Sequence, residues 1–99
     1  MQRKMVTQRL SEFEPTKQEI DRYFTEVVTK DALVLQRHGN VYDVLGKDAE
    51  VVSDICKGTI IYNWLPCKND ILCFVSIPEE KLSKNIELLI REGFKIVII

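Results

Sequence analysis

A chain of 99 residues with 45% hydrophobic side chains can bury one core without disulfide or metal staples. Fourteen basic residues against fifteen acidic ones leave a net charge of −1. That gives no global attraction to a polyanion, and no apolar run approaches the ~20 residues of a membrane-spanning helix.

Met1 to Glu14 shows weak periodicity and reads as a loose N-terminal arm, residues 1–14, ahead of a single domain over residues 15–99. Met1 to Arg9 holds Arg3, Lys4 and Arg9 with no acidic residue, so the arm is either a small basic tail or a solvated terminus. Thr16-Lys17-Gln18-Glu19 is a capping box that opens a helix. Ile20, Tyr23, Phe24, Val27 and Val28 then recur at helical spacing as one apolar stripe, expected to face the core. Ala32 to Arg37 and Val41 to Leu45 are short β-prone runs joined by His38-Gly39-Asn40. Gly39 suits the positive φ of a primed hairpin turn. A strand has period two, so Val41, Asp43 and Leu45 share one face while Tyr42 and Val44 share the other. Either set can be the buried one. With Tyr42 and Val44 inside, Val41 and Asp43 would stand outward together beside the turn.

Gly46 breaks the second strand, and Lys47 to Lys57 suits a helix with Ala49, Val52, Ile55 and Cys56 inward and Gly58 just past its end. Thr59 to Asn63 reads as a strand. Trp64 to Asp70 reads as a turn-rich connector whose Trp64 is expected to lie as a lid on the core. Ile71 to Ser76 is a continuous apolar strand. Pro78, Glu79 and Glu80 start a third helix with Leu82, Ile86, Leu89 and Ile90 inward. Phe94 to Ile99 is a last strand, apolar enough to be central. The order α-β-β-α-β-β-α-β predicts an α+β fold: a mixed sheet of about five strands with three helices packed around it.

Two stretches resemble a known family. Asp31 to Ala49, DALVLQRHGNVYDVLGKDA, is similar to the first domain of MutS, the DNA mismatch-recognition protein, where it runs D-A-L-L-F-F-R-M-G-D-F-Y-E-L-F-Y-D-D-A. Asp31, Ala32, Leu33, Arg37, Gly39, Tyr42, Asp48 and Ala49 coincide. Ser76 to Ile98, SIPEEKLSKNIELLIREGFKIVI, follows the family's G-V-P-x-H, helix and L-V-x-x-G-Y-x-V-A-I. The similarity spans Pro15 to Ile99 in the right order and implies a MutS domain I-like fold. In that family the Phe of an F-x-E triplet stacks on the mispaired base and the Glu hydrogen-bonds to it. The matching residues here are Val41 and Asp43, and Glu80 replaces the His of V-P-x-H. An aromatic–base stack is worth about 1–3 kcal/mol, which valine cannot supply, although an aliphatic side chain can still wedge into a minor groove.

The resemblance therefore implies a non-catalytic DNA-binding module with weak or lost mismatch discrimination. Val41 and Asp43 would be its DNA-binding residues, with phosphate contacts from Arg37, Lys47, Arg3 and Lys4. A second reading keeps the scaffold as a protein-interaction or structural module without DNA binding, with a protein partner or a second copy meeting a sheet edge or Trp64. Catalysis is not expected. His38, the only histidine, sits in a turn with no nucleophile–base partner nearby in sequence, and the glycines form no phosphate loop. The family's ATPase lies in a separate domain. Cys56, Cys67 and Cys73 have no zinc-type spacing. No metal, cofactor, small-molecule substrate or membrane is expected, and the odd cysteines with no signal peptide point to a reducing cytoplasm.

Overall fold

The computed structural model describes residues 16–65 and 68–99; the predicted arm over residues 1–14 lies outside them. Helix α1, Lys17–Lys30, opens on the capping box read from sequence. The Thr16 hydroxyl accepts from the Glu19 amide at 3.1 Å, and the Glu19 carboxylate accepts from the Thr16 amide at 2.8 Å. Two of the four orphan amides of the first turn are thereby satisfied. Asp31, at φ 51°, ends the helix in a left-handed cap.

Strands β1 (Leu33–His38), β2 (Val41–Leu45), β3 (Ile61–Leu65), β4 (Asp70–Pro78) and β5 (Ile96–Ile98) form one sheet in the order β3-β4-β2-β1-β5. Only β1 and β5 are parallel; the other neighbours are antiparallel. Helices α2 (Lys47–Cys56) and α3 (Leu82–Arg91) cover one face, and a 3-10 turn at Glu79–Lys81 leads into α3. On that face Leu33, Leu35, Tyr42, Val44, Val75 and Ile77 pack with Ala49, Val52 and Leu89. Helix α1 covers the other face, where Tyr23 packs with Val34, Leu45 and Phe74. Among the described residues, the mixed five-stranded sheet and three helices are the α+β architecture expected, in the predicted order.

A sheet covered on both faces explains where expectation and structure part. Alternate residues of a central strand point to opposite layers, so Tyr42, Asp43, Val44 and Leu45 are all buried. Strand β5 was expected to be central, yet it lies at the edge beside β1, with Ile98 half-exposed. Its apolarity serves two layers instead: Ile96 joins the core under α2 and α3, and Val97 joins the core under α1. Trp64 is no lid on the core. It belongs to β3, pairs with Ile71, and is 46% exposed. Of the α1 stripe only Ile20 and Tyr23 are buried; Val27 packs partly against the core, and Val28 is 80% exposed. On α3, Leu89 is buried but Ile90 points outward. At the end of α2 the left-handed residue is Lys57, at φ 61°, rather than Gly58.

Candidate functional site at the hairpin tip

The hairpin closes on the pair His38–Val41, leaving Gly39 and Asn40 as a two-residue turn. Gly39 alone carries a positive φ, 67°, as a turn with glycine at its first central position requires. The Asn40 carbonyl accepts from the Glu79 amide at 3.0 Å, which ties the tip to the 3-10 turn after β4.

Arg37 braces the same tip from the face of α2 and α3. Its Nε donates to the Gly39 carbonyl at 3.2 Å and its Nη1 to the Tyr42 hydroxyl at 2.9 Å. The guanidinium lies 5.5 Å from the Tyr42 ring centroid and 4.0 Å from the Glu79 carboxylate. A fork spread over a carbonyl, a phenol and a carboxylate is largely committed to holding the turn. As the side chain is half-exposed, its outer edge still faces solvent.

Val41 and Asp43 do share a face, as period two requires, but they are not presented alike. Val41 is half-buried at the tip, opposite Pro78 of β4. Asp43 is 1% exposed, contrary to the expectation that both would stand outward. The Ser76 hydroxyl, directly across the β2–β4 pair, donates to Asp43 Oδ1 at 2.5 Å. His38 Nδ1 stands 3.7 Å from Asp43 Oδ2. A carboxylate withdrawn from water must have such partners, and here a serine and a half-exposed histidine supply them.

Of the cations named from sequence, Arg37 stands at the tip and Lys47 does not. Lys47 opens α2, beyond the opposite end of β2 from Val41, about 14 Å along a strand rising ~3.4 Å per residue. Arg3 and Lys4 lie outside the described residues. Two lysines that sequence reasoning passed over lie closer to the tip. Lys81 and Lys57 line a cleft of about 320 Å³ alongside the end of β4. The signal was available in part, since Lys81 follows Pro78, the partner of Val41, by three residues.

A second cavity, about 340 Å³, lies by the ends of α1 and α3 and is lined by Asp31, Asp48 and Lys95 among others. Burial raises the Asp48 carboxyl above its ordinary value, so its charged form is disfavoured in the fold. Replacing Asp48 with asparagine is expected to raise stability at pH 7 by under about 1 kcal/mol. The gain should vanish as pH falls through the carboxylate range, where the folded acid already holds its proton. Thermal unfolding at pH 7 and pH 3 checks this; a gain that persists at pH 3 would point to something other than the charge.

Burial also pushes the Cys56 and Cys73 thiols up, Glu50 adding to the effect at Cys73, so both behave as apolar filling rather than as thiolates. Cys67 lies outside the described residues. Among the described residues no three His, Cys, Asp or Glu side chains converge as a metal site, and no helix is long and apolar enough to cross a membrane. Compared with known families, the chain matches the model of MutS domain I over residues 12–99. A search among curated proteins finds no match.

Proposed function

This chain belongs to the MutS domain I family, and we propose that it is a non-catalytic DNA-binding module with weak or lost mismatch discrimination. In this reading the braced hairpin tip enters the minor groove with Val41 leading. The observation that carries it is the different fate of the two residues in the positions of the family's reading pair. Val41 stays partly open at the tip, while Asp43 is withdrawn behind Ser76. A wedge is retained and a hydrogen-bonding acceptor is engaged internally. Groove insertion survives that arrangement; selective hydrogen bonding to one base does not.

With few cations near the tip among the described residues, affinity should be modest and steeply salt-dependent. Fluorescence anisotropy of a labelled duplex, matched or carrying one mismatch, tests the reading at low and moderate salt. Near-equal binding to both duplexes, falling with salt, is the expected result. Val41→Phe is expected to raise the preference for the mismatched duplex about tenfold, within the ~1–3 kcal/mol of an aromatic–base stack. A preference unchanged by that substitution would argue against the tip as the reading element.

A second reading, a protein-interaction module, has its own observation. Tyr62, Trp64 and Ile71 are all about half-exposed, on the part of the α2–α3 face nearest the β3 edge. Absence of duplex binding at low salt would favour it.

A further inference from the structure

The cleft alongside the end of β4 has no role in the hairpin's own architecture. It arises because β3 leaves the sheet at Ile61, opposite Phe74, while β4 runs on to Pro78. The vacated lane beside Val75 to Pro78 is walled by the end of α2 and the start of α3. Its polar lining includes Lys57, Thr59, Lys81 and Asn85, and no carboxylate is among its described lining residues. In a chain whose net charge is −1, a concavity with two ammonium groups and no acid is a local reversal of sign.

The walls are held in place rather than draped. Ser53 Oγ donates to the Gly58 carbonyl at 2.6 Å, fixing the loop that carries Lys57 and Thr59. Gly58 presses so close to the sheet that a Cβ there would stand 2.9 Å from Val75 Cγ2. Lys57 is held at φ 61°, and Cys56 Sγ approaches the Asn85 carbonyl at 3.8 Å. Two acids near this end of β4 are engaged elsewhere: the Glu79 carboxylate faces Arg37, and Asp43 sits behind Ser76.

We propose that this cleft is a phosphate-binding site, in which Lys57 and Lys81 bracket the anion while Thr59 and Asn85 donate to its oxygens. Lysine serves as a point charge for phosphate, and hydroxyl and amide donors complete the shell around an anion with several acceptor oxygens. The inference rests on the proposed DNA role for the source of the phosphate. Val41 pairs with Pro78, which lines the cleft from β4. With strands ~4.8 Å apart, the cleft centre lies about 10 Å from Val41. A side chain in a minor groove ~6 Å wide has backbone phosphates at about that reach. The occupant is therefore a backbone phosphate of the duplex whose groove receives the tip.

The test uses the full chain and two probes. Amide chemical shifts are followed by NMR on titration with inorganic phosphate and, separately, with a short duplex at low salt. Salt-dependent duplex binding is compared between the native chain and the double variant Lys57→Asn, Lys81→Gln. Asparagine is chosen at position 57 because it tolerates a left-handed φ. Both lysines are exposed, so unfolding of the variant should match the native chain, and a circular dichroism melt verifies that.

The expected result is that the duplex shifts the amides of Lys57, Gly58, Thr59, Lys81 and Asn85. In the variant the slope of log affinity against log salt should then be shallower by about 1, the ion-release step of the single phosphate the two lysines hold. Duplex binding with those amides unmoved and the slope unchanged would overturn the site and leave the DNA role standing. Shifts with inorganic phosphate but no duplex binding would uphold the phosphate site and overturn the duplex as its source. No response to either probe would overturn the proposal.

Discussion

Tyr23→Phe is expected to destabilise the fold by about 3 kcal/mol, although it removes one oxygen and leaves the ring in place. The Tyr23 hydroxyl donates to the Val34 carbonyl at 2.8 Å and accepts from the Leu45 amide at 3.0 Å, and all three residues are buried. The β1–β2 ladder is formed from His38–Val41 to Gln36–Asp43. Continued by two residues, that register would set Val34 opposite Leu45. The phenol sits where that rung would be, bridging a carbonyl on β1 to an amide on β2. Phenylalanine would keep the edge-on packing against Phe24, whose ring centroid is 5.1 Å away, and strand a buried donor and a buried acceptor together. Each stranded group costs about 1–3 kcal/mol. For a domain of this size, ~3 kcal/mol corresponds to a Tm lower by more than ~10 °C. A loss under about 1 kcal/mol in urea or thermal unfolding would mean that the two strands close the gap themselves.

The same residue sets a pH signature. Burial, with smaller contributions from Asp48 and Asp43, raises the Tyr23 phenol well above its ordinary value, against the lowering effect of the Leu45 amide. In the unfolded chain the phenol ionises near pH ~10; in the fold it keeps its proton to higher pH. Its contribution is therefore complete below pH ~10 and is lost as pH rises beyond it. The stability gap between the native chain and Tyr23→Phe should narrow above pH ~10. A gap constant between pH 8 and pH 11 would contradict this account.

Gly46→Ala is expected to cost about 2–3 kcal/mol. Gly46 has φ 72° and ψ −143°, a backbone region in which residues with a Cβ are strained by about 1–3 kcal/mol. The backbone cannot relax freely: the Gly46 amide donates to the Cys73 carbonyl at 2.8 Å, and its own carbonyl accepts from the Ala49 amide at 3.0 Å. The Cys73 thiol donates to the same carbonyl at 3.2 Å. An added Cβ would also stand 3.1 Å from two atoms of the Phe24 ring, which is partly exposed and can shift. Made in a Phe24→Ala background, the same substitution should cost less, isolating the backbone strain from the ring contact. Equal costs in the two backgrounds would assign the whole effect to φ and ψ, and a total below about 0.5 kcal/mol would contradict the strain itself.

Elements and their order were legible because they rest on local physics. The capping box at Thr16 and Glu19, the glycine turn at Gly39 and the break at Gly46 depend on a few neighbouring residues, and they appear where the spacing placed them. Helical and strand periods gave α+β with three helices, and two stretches of motif pointed to the MutS domain I family, which the family match over residues 12–99 shows.

What the local pattern could not contain was which elements would become neighbours. Period two put Val41 and Asp43 on one face, but only β4, pairing along β2, brought Ser76 across from Asp43 and drew the carboxylate inside. Trp64 turned outward because no helix among the described residues covers that part of β3, and β5 became an edge because it pairs with β1 alone, whose other side is taken by β2. The cleft with Lys57 and Lys81 exists only because two strands of unequal length lie side by side. Residue type and spacing determined each element and its amphipathic faces. Burial, partner and exposed surface were decided by long-range pairing, whose energy comes from contacts between residues far apart in the chain.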